Sequence, residues 1–194
     1  MPKIVDANQY RQKLLNKCFD LFANQGYANV TTRQIAKELG VSTGTLYHYF
    51  PNKQALFEQL VEQISLQDVD ILRQVNKNLS VTQRIKALGL ILIEHQKYII
   101  KQAAIWDNFY QQQSDQDIDS NSIFRQADLL YQQAISDLLD LEDLELAKFI
   151  WTLVDGIAIA NIGSTDSSAG SSFAIQIQLL TQMLIAYFEK HLGN

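Results

Sequence analysis

Apolar residues recur every three or four positions along most of the chain, and strand-like alternation persists nowhere, so the pattern predicts an all-α protein. In residues 9–25, Tyr10, Leu14, Leu15, Cys18, Phe19 and Phe22 form one stripe, while Arg11, Lys13 and Lys17 lie off it. Gly26 then supplies a C-terminal stop, with Tyr27 as its apolar partner. Thr31 followed by Gln34 is a capping box, and Val30 with Ile35 is a hydrophobic staple, so a short helix is predicted from Thr32 to Leu39. Gly40 ends it. Ser42 caps the next helix, about Thr43 to Tyr49, with Val41 and Leu46 repeating the staple. Pro51 closes the block, because the residue before proline is driven out of helical geometry. Asn52 caps a further helix with Leu56, Phe57, Leu60, Val61 and Ile64 on one stripe, expected to run to about Asn78.

Two short helices joined through a glycine turn, after a first amphipathic helix, make a helix-turn-helix arrangement. Downstream, Ser80 and Gln83 form another capping box ahead of a long helical stretch, with one break expected near residue 100. Residues 114–122 lack periodicity and read as a loop. Helices are expected over about Ile123 to Leu139, Asp143 to Ile162 and Phe173 to His191, with a Gly- and Ser-rich connection at 163–172. This divides the chain into a head, residues 1–53 and the start of the helix that follows, and a helical body, residues 54–194.

Composition agrees. The 194 residues are 47% hydrophobic and 19% charged, which is globular and excludes a disordered chain. No run approaches the roughly 18 apolar residues of a membrane helix, and no secretory signal is visible, so no membrane partner and a cytoplasmic location are expected. A single cysteine, Cys18, excludes an internal disulfide and fits a small core residue. Charge is uneven. Residues 1–53 hold seven Lys or Arg against three Asp or Glu, a net +4, which leaves the rest of the −5 chain at −9. A basic head on an acidic body points the head toward a polyanion.

The second helix of the motif can enter the major groove. It offers Thr43, Thr45, Tyr47, His48 and Tyr49, with Gly44 in its first turn allowing close approach to the sugar-phosphate. Leu46 and Phe50 have core spacing, and Tyr49 fits either side. No Arg or Gln stands there for bidentate base reading, so Arg33 in the preceding helix is the remaining candidate for a guanine or phosphate. Lys53 sits in a first turn, where the macrodipole disfavours a cation. A phosphate at that helix end explains the placement; a side chain simply directed into water is the alternative.

The stretch from Thr31 through Thr32, Arg33, Gln34, Gly40, Val41, Ser42, Thr43, Gly44, Thr45, Leu46, Tyr47, His48, Tyr49, Phe50 and Pro51 to Lys53 resembles the DNA-binding signature of the tetracycline-repressor (TetR) family of bacterial transcription regulators. Phe22 to Tyr27 resembles the ending of that family's first helix, and Val154-Asp155-Gly156-Ile157 a recurrent motif of its eighth. The resemblance implies about nine helices: a three-helix DNA-binding domain and a helical ligand-binding and dimerisation domain. It implies a homodimer on a palindromic double-stranded DNA operator, repression, and release by a small effector. It places DNA contacts at Thr32, Arg33, Thr43, Gly44, Thr45, Tyr47, His48 and Lys53, with Tyr49 where many members carry another aromatic or a histidine.

In the body, the last two helices are the expected dimer seam, through Leu153, Ile157 and Ala160 and through Leu180, Met183, Leu184, Tyr187 and Phe188. The same stripes could instead close the monomer's own core. His95, Tyr98, Trp106, Phe109, Tyr110, Phe124, Tyr131 and Trp151 give the middle helices an aromatic character that suits a pocket for a neutral or cationic hydrophobic effector, or an ordinary aromatic core. No cofactor and no metal is expected, since His48, His95 and His191 lie far apart. Catalysis is not expected either, since no Gly-rich phosphate loop or Gly-x-Ser-x-Gly elbow is present. The rival to a ligand-responsive repressor is a helix-turn-helix adaptor whose body binds a protein.

Overall fold

The structure, a computed structural model, describes residues 7–111 and 122–192. Nine helices and no strand occur among the described residues: α1 Ala7–Gln25, α2 Thr32–Leu39, α3 Thr43–Tyr49, α4 Lys53–Arg73, α5 Val81–Glu94, α6 Gln96–Tyr110, α7 Ser122–Leu139, α8 Leu144–Ala160 and α9 Ser172–Leu192. The loop expected at 114–122 lies almost wholly outside the described residues; Ser122 already belongs to α7. Two expected boundaries move. α4 stops at Arg73 rather than Asn78, where hydrogen bonds from Gln74 and Val75 to carbonyls three residues back tighten its end. The break expected near residue 100 falls at His95, whose ring Nδ1 and backbone N–H both lie against Ile91 O.

The chain forms two compact units, Met1–Gln67 with Ile105–Ala127, and Asp68–Ala104 with Asp128–Asn194. In the first unit the stripe of α1 (Leu14, Leu15, Cys18, Phe22) is buried, as are Ile35, Ala36 and Leu39 of α2 and Leu46 of α3. Burial pushes the Cys18 thiol up to about 12, so it stays protonated and inert. Phe57 stacks on Phe109 with centroids 4.4 Å apart, and Phe124 packs 5.1 Å from Phe109.

In the second unit, Leu180, Leu184 and Phe188 of α9 bury against Ile85, Leu88, Ile135, Ile150 and Val154. Gly89 of α5 lies so close to Thr181 of α9 that an added Cβ would fall inside contact distance of Thr181 Oγ1. The buried Arg84 donates to Leu138 O at 2.8 Å and pairs with Asp140, which closes the end of α7.

Candidate nucleic-acid interface

Local chemistry sets α2 and α3 in place. Thr31 N–H donates to Gln34 Oε1 at 2.8 Å while Gln34 N–H donates to Thr31 Oγ1 at 3.3 Å, the reciprocal box expected from the sequence. Gly40 adopts φ +69°, and Val41 N–H donates to Ala36 O at 2.9 Å, so the chain turns off α2 through a left-handed residue. Two residues later Ser42 Oγ accepts from Thr45 N–H at 2.9 Å and starts α3. Leu46 and Phe50 are buried and anchor α3.

What remains outward on α3 is Thr43, Gly44, Tyr47 and His48, all exposed, with Tyr47 at 51%. Thr45 is half-buried, its hydroxyl 2.8 Å from Ser42 Oγ. Tyr49, whose direction the sequence left open, is half-buried with its ring 5.5 Å from that of Tyr10. On α2 Arg33 is exposed and Thr32 half-buried. An added Cβ at Gly44 would meet only Ser42 Oγ at 3.7 Å, an ordinary contact, so nothing inside the unit requires glycine there.

Lys53 departs from both expectations. Its ammonium neither lies free for a phosphate nor points into water. It donates to Tyr27 O and Val30 O, each at 3.0 Å, and lies 4.1 Å from the centroid of the Tyr27 ring. Those carbonyls and that π-face compensate the cation for its unfavourable place in a first turn. Partial burial holds its pKa below the usual lysine range.

The eight residues expected to line one pocket fall in different units. Trp106, Phe109, Tyr110 and Phe124 belong to the first, where they pack with Phe57 as an aromatic core. His95, Tyr98, Tyr131 and Trp151 belong to the second. There Tyr131 stacks on Trp151 at 4.1 Å, and the Tyr131 hydroxyl donates to Asp68 Oδ2 at 2.6 Å. Gln102 Nε2 donates to the same carboxylate at 3.1 Å, and Tyr98 also hydrogen-bonds it. Burial still holds Asp68 above the usual carboxylate range. Asp68 was not anticipated, yet it stands four residues after Ile64 on the apolar stripe of α4, a position where an acid signals a buried partner network. Trp151 Nε1 donates to Asp128 at 3.2 Å, and burial followed by the charge of Asp128 raises Asp155.

The residues expected at the dimer seam divide into a buried and an exposed set. Leu180, Leu184 and Phe188 are buried in the unit's own core, and Leu153 and Ile157 pack against it. Ala160, Met183 and Tyr187 are exposed, as are Phe149, Ile159, Ile175 and Leu179.

A capped two-helix frame that exposes one face of its second helix defines a helix-turn-helix protein. Residues 14–60 match the family described as bacterial regulatory proteins, tetR family. The match runs from within α1 to within α4, so it is the helix-turn-helix segment of the chain that is similar to that family. It is 43% identical over 65 residues to the nucleoid occlusion factor SlmA of Haemophilus ducreyi, covering 33% of this chain and 32% of that protein. It is 34% identical over 93 residues to the uncharacterized HTH-type transcriptional regulator YvkB of Bacillus subtilis, covering 46% and 48%. The chain thus matches a third to a half of the length of these relatives. Its fold is that of Salmonella enterica GusR, with a TM-score of 0.70 at 16% identity over 99% of this chain and 100% of the other. Among the described residues no helix is long and apolar enough to cross a membrane, and no group of His, Cys, Asp and Glu is placed to hold a metal ion.

Proposed function

We propose that this protein is a homodimeric repressor that holds a palindromic operator with α3 in the major groove and is released by a small hydrophobic effector. The observation that carries the DNA-binding part is the division of α3 into a buried anchor, Leu46 with Phe50, and an outward set of Thr43, Gly44, Tyr47 and His48. Arg33 flanks that set as a cation. Base and phosphate contacts come from this face, and groove entry needs a helix whose outer side is free of internal duties.

Dimerisation uses the faces of α8 and α9 turned away from their own core. Ile175, Leu179, Met183 and Tyr187 follow one another every fourth residue on α9, with Phe149, Ile159 and Ala160 on α8. A stripe of that kind seeks an apolar partner, and a second copy provides the half-site spacing a palindrome needs.

The effector, in this reading, binds in the second unit around His95, Tyr98, Tyr131 and Trp151. Carboxylates at Asp68, Asp128 and Asp155 favour a neutral or cationic ligand over an anion. The ligand tilts α4, which carries both Lys53 and Asp68, and so changes the separation of the two α3 helices. A second reading follows from the likeness to a protein named for nucleoid occlusion: the same DNA-binding head with a body that holds a protein. A thermal-shift screen separates the two, since small compounds that raise the melting temperature favour an effector.

The direct test is binding to duplexes selected from a random library, followed across a salt series. Wild type is expected to bind a palindromic sequence with an affinity that falls steeply with salt. Tyr47→Ala should weaken operator binding while leaving the melting temperature unchanged. Normal binding by that variant removes α3 from the interface.

A further inference from the structure

The helix-turn-helix block begins after Val30 and ends before Lys53, and both ends meet at one side chain. We propose that Lys53 is a positioning residue for operator recognition: its ammonium clasps the entry of the block to its exit and makes no phosphate contact. The inference rests on the DNA-binding reading above.

The geometry is specific. Lys53 opens α4, directly after the Phe50-Pro51-Asn52 exit from α3, while its acceptors lie 26 and 23 residues earlier. Val30 immediately precedes Thr31, the N-cap of α2, so fixing the Val30 carbonyl fixes where α2 begins. The turn it steadies is weak by itself, since the Val30 N–H reaches Tyr27 O only at 3.4 Å. Below the ammonium, the Tyr27 ring is wedged between Phe57 of α4 and Phe109 of α6, each with centroid 4.8 Å away. On the other side of the turn Gly26, at φ +75°, leaves room for Asn108, whose Oδ1 a Cβ at 26 would meet at 2.9 Å. The segment 26–30 is therefore gripped on several sides, and Lys53 is the grip that joins it to the residue leaving the block. A tie between two residues 23 positions apart, one on each side of the block, removes freedom that α2 and α3 would otherwise share as a pair.

The experiment uses the full chain and an operator recovered by selection with wild-type protein. Operator and an unrelated duplex of equal length are titrated over a salt series with wild type and Lys53→Met. The clasp predicts a loss of about tenfold or more on the operator, comparable to one misplaced base contact, with affinity for the unrelated duplex and both salt slopes unchanged. An equal loss on both duplexes overturns it. In that case a slope shallower by about 0.9 identifies Lys53 as a phosphate contact, and an unchanged slope identifies a folding defect. Unchanged operator affinity also overturns it. Where Lys53→Met lacks the wild-type circular dichroism, Lys53→Gln, which removes the charge and shortens the side chain, is measured in its place against the same outcomes. Wild-type protein that recovers no operator overturns the DNA-binding reading itself, and the clasp with it.

Discussion

Gly44→Ala should make the protein more stable and a poorer DNA binder. The residue is exposed in the first turn of a seven-residue helix, and its backbone is not in the left-handed region. The added methyl would meet only Ser42 Oγ at 3.7 Å, so no strain opposes it. Alanine lowers the entropy lost when the residue enters a helix, by ~0.5–1 kcal/mol. At about 2–4 °C per kcal/mol for a chain of this size, the melting temperature should rise by ~1–4 °C. In the proposed complex the same methyl stands where the start of α3 meets a sugar-phosphate, and blocking one such approach should cost ~1–3 kcal/mol, about 5- to 150-fold in operator affinity. Thermal melts and fluorescence anisotropy on one preparation read both numbers. Gly40→Ala is the control: at φ +69° the substitution forces a side chain into left-handed geometry and should lower the melting temperature. Unchanged operator affinity in Gly44→Ala would refute close approach at this turn, and a lower melting temperature would refute the free space.

Other substitutions probe the second unit. Tyr131→Phe removes the hydroxyl that donates to Asp68 and should cost ~1.5–3 kcal/mol where Asp68 is ionised and less where acid has protonated it; urea melts on either side of its raised pKa check this, and equal costs would contradict it. The Asp68 pKa is raised in the folded state, so its contribution to stability is present below the usual carboxylate value and lost as pH rises through the raised one; Asp68→Asn should abolish that decline in denaturation midpoint. Gly89→Ala should cost ~1–3 kcal/mol because its methyl overlaps Thr181 Oγ1, and adding Thr181→Ala should recover most of the loss in the same melts. Met183→Lys should shift sedimentation toward monomer with little change in melting temperature, whereas the buried Leu184→Ala should lower stability by ~2–5 kcal/mol.

The head was legible because its determinants are local. A capping box and a left-handed glycine each act within a few residues, and both stand in the structure where the sequence put them, while the staple residues Val30 and Ile35 are both buried. The inward placement of Leu46 and Phe50 followed from helical spacing alone. Lys53 escaped because its partners are backbone carbonyls more than twenty residues away, and a carbonyl carries no sequence signature. A cation in a first turn needs acceptors, and the helix macrodipole does not distinguish a phosphate from a peptide oxygen.

In the body the difficulty is one of phase. α9 carries apolar residues on two neighbouring stripes. Ile177, Leu180, Leu184 and Phe188 face the core, and Ile175, Leu179, Met183 and Tyr187 face out. Spacings of three and four occur within and between the two stripes, so periodicity shows an apolar helix without assigning its sides. Only neighbours decide, here Gly89 and Leu88 of α5, which admit α9 on one side and leave the other without cover. The same logic divided the aromatic residues. Trp106 and Tyr98 lie on one helix, two turns apart, yet one packs with Phe57 and the other binds Asp68. A helix long enough to serve two compact units reads in sequence as one continuous pattern, and its functional division becomes visible only through the residues it meets.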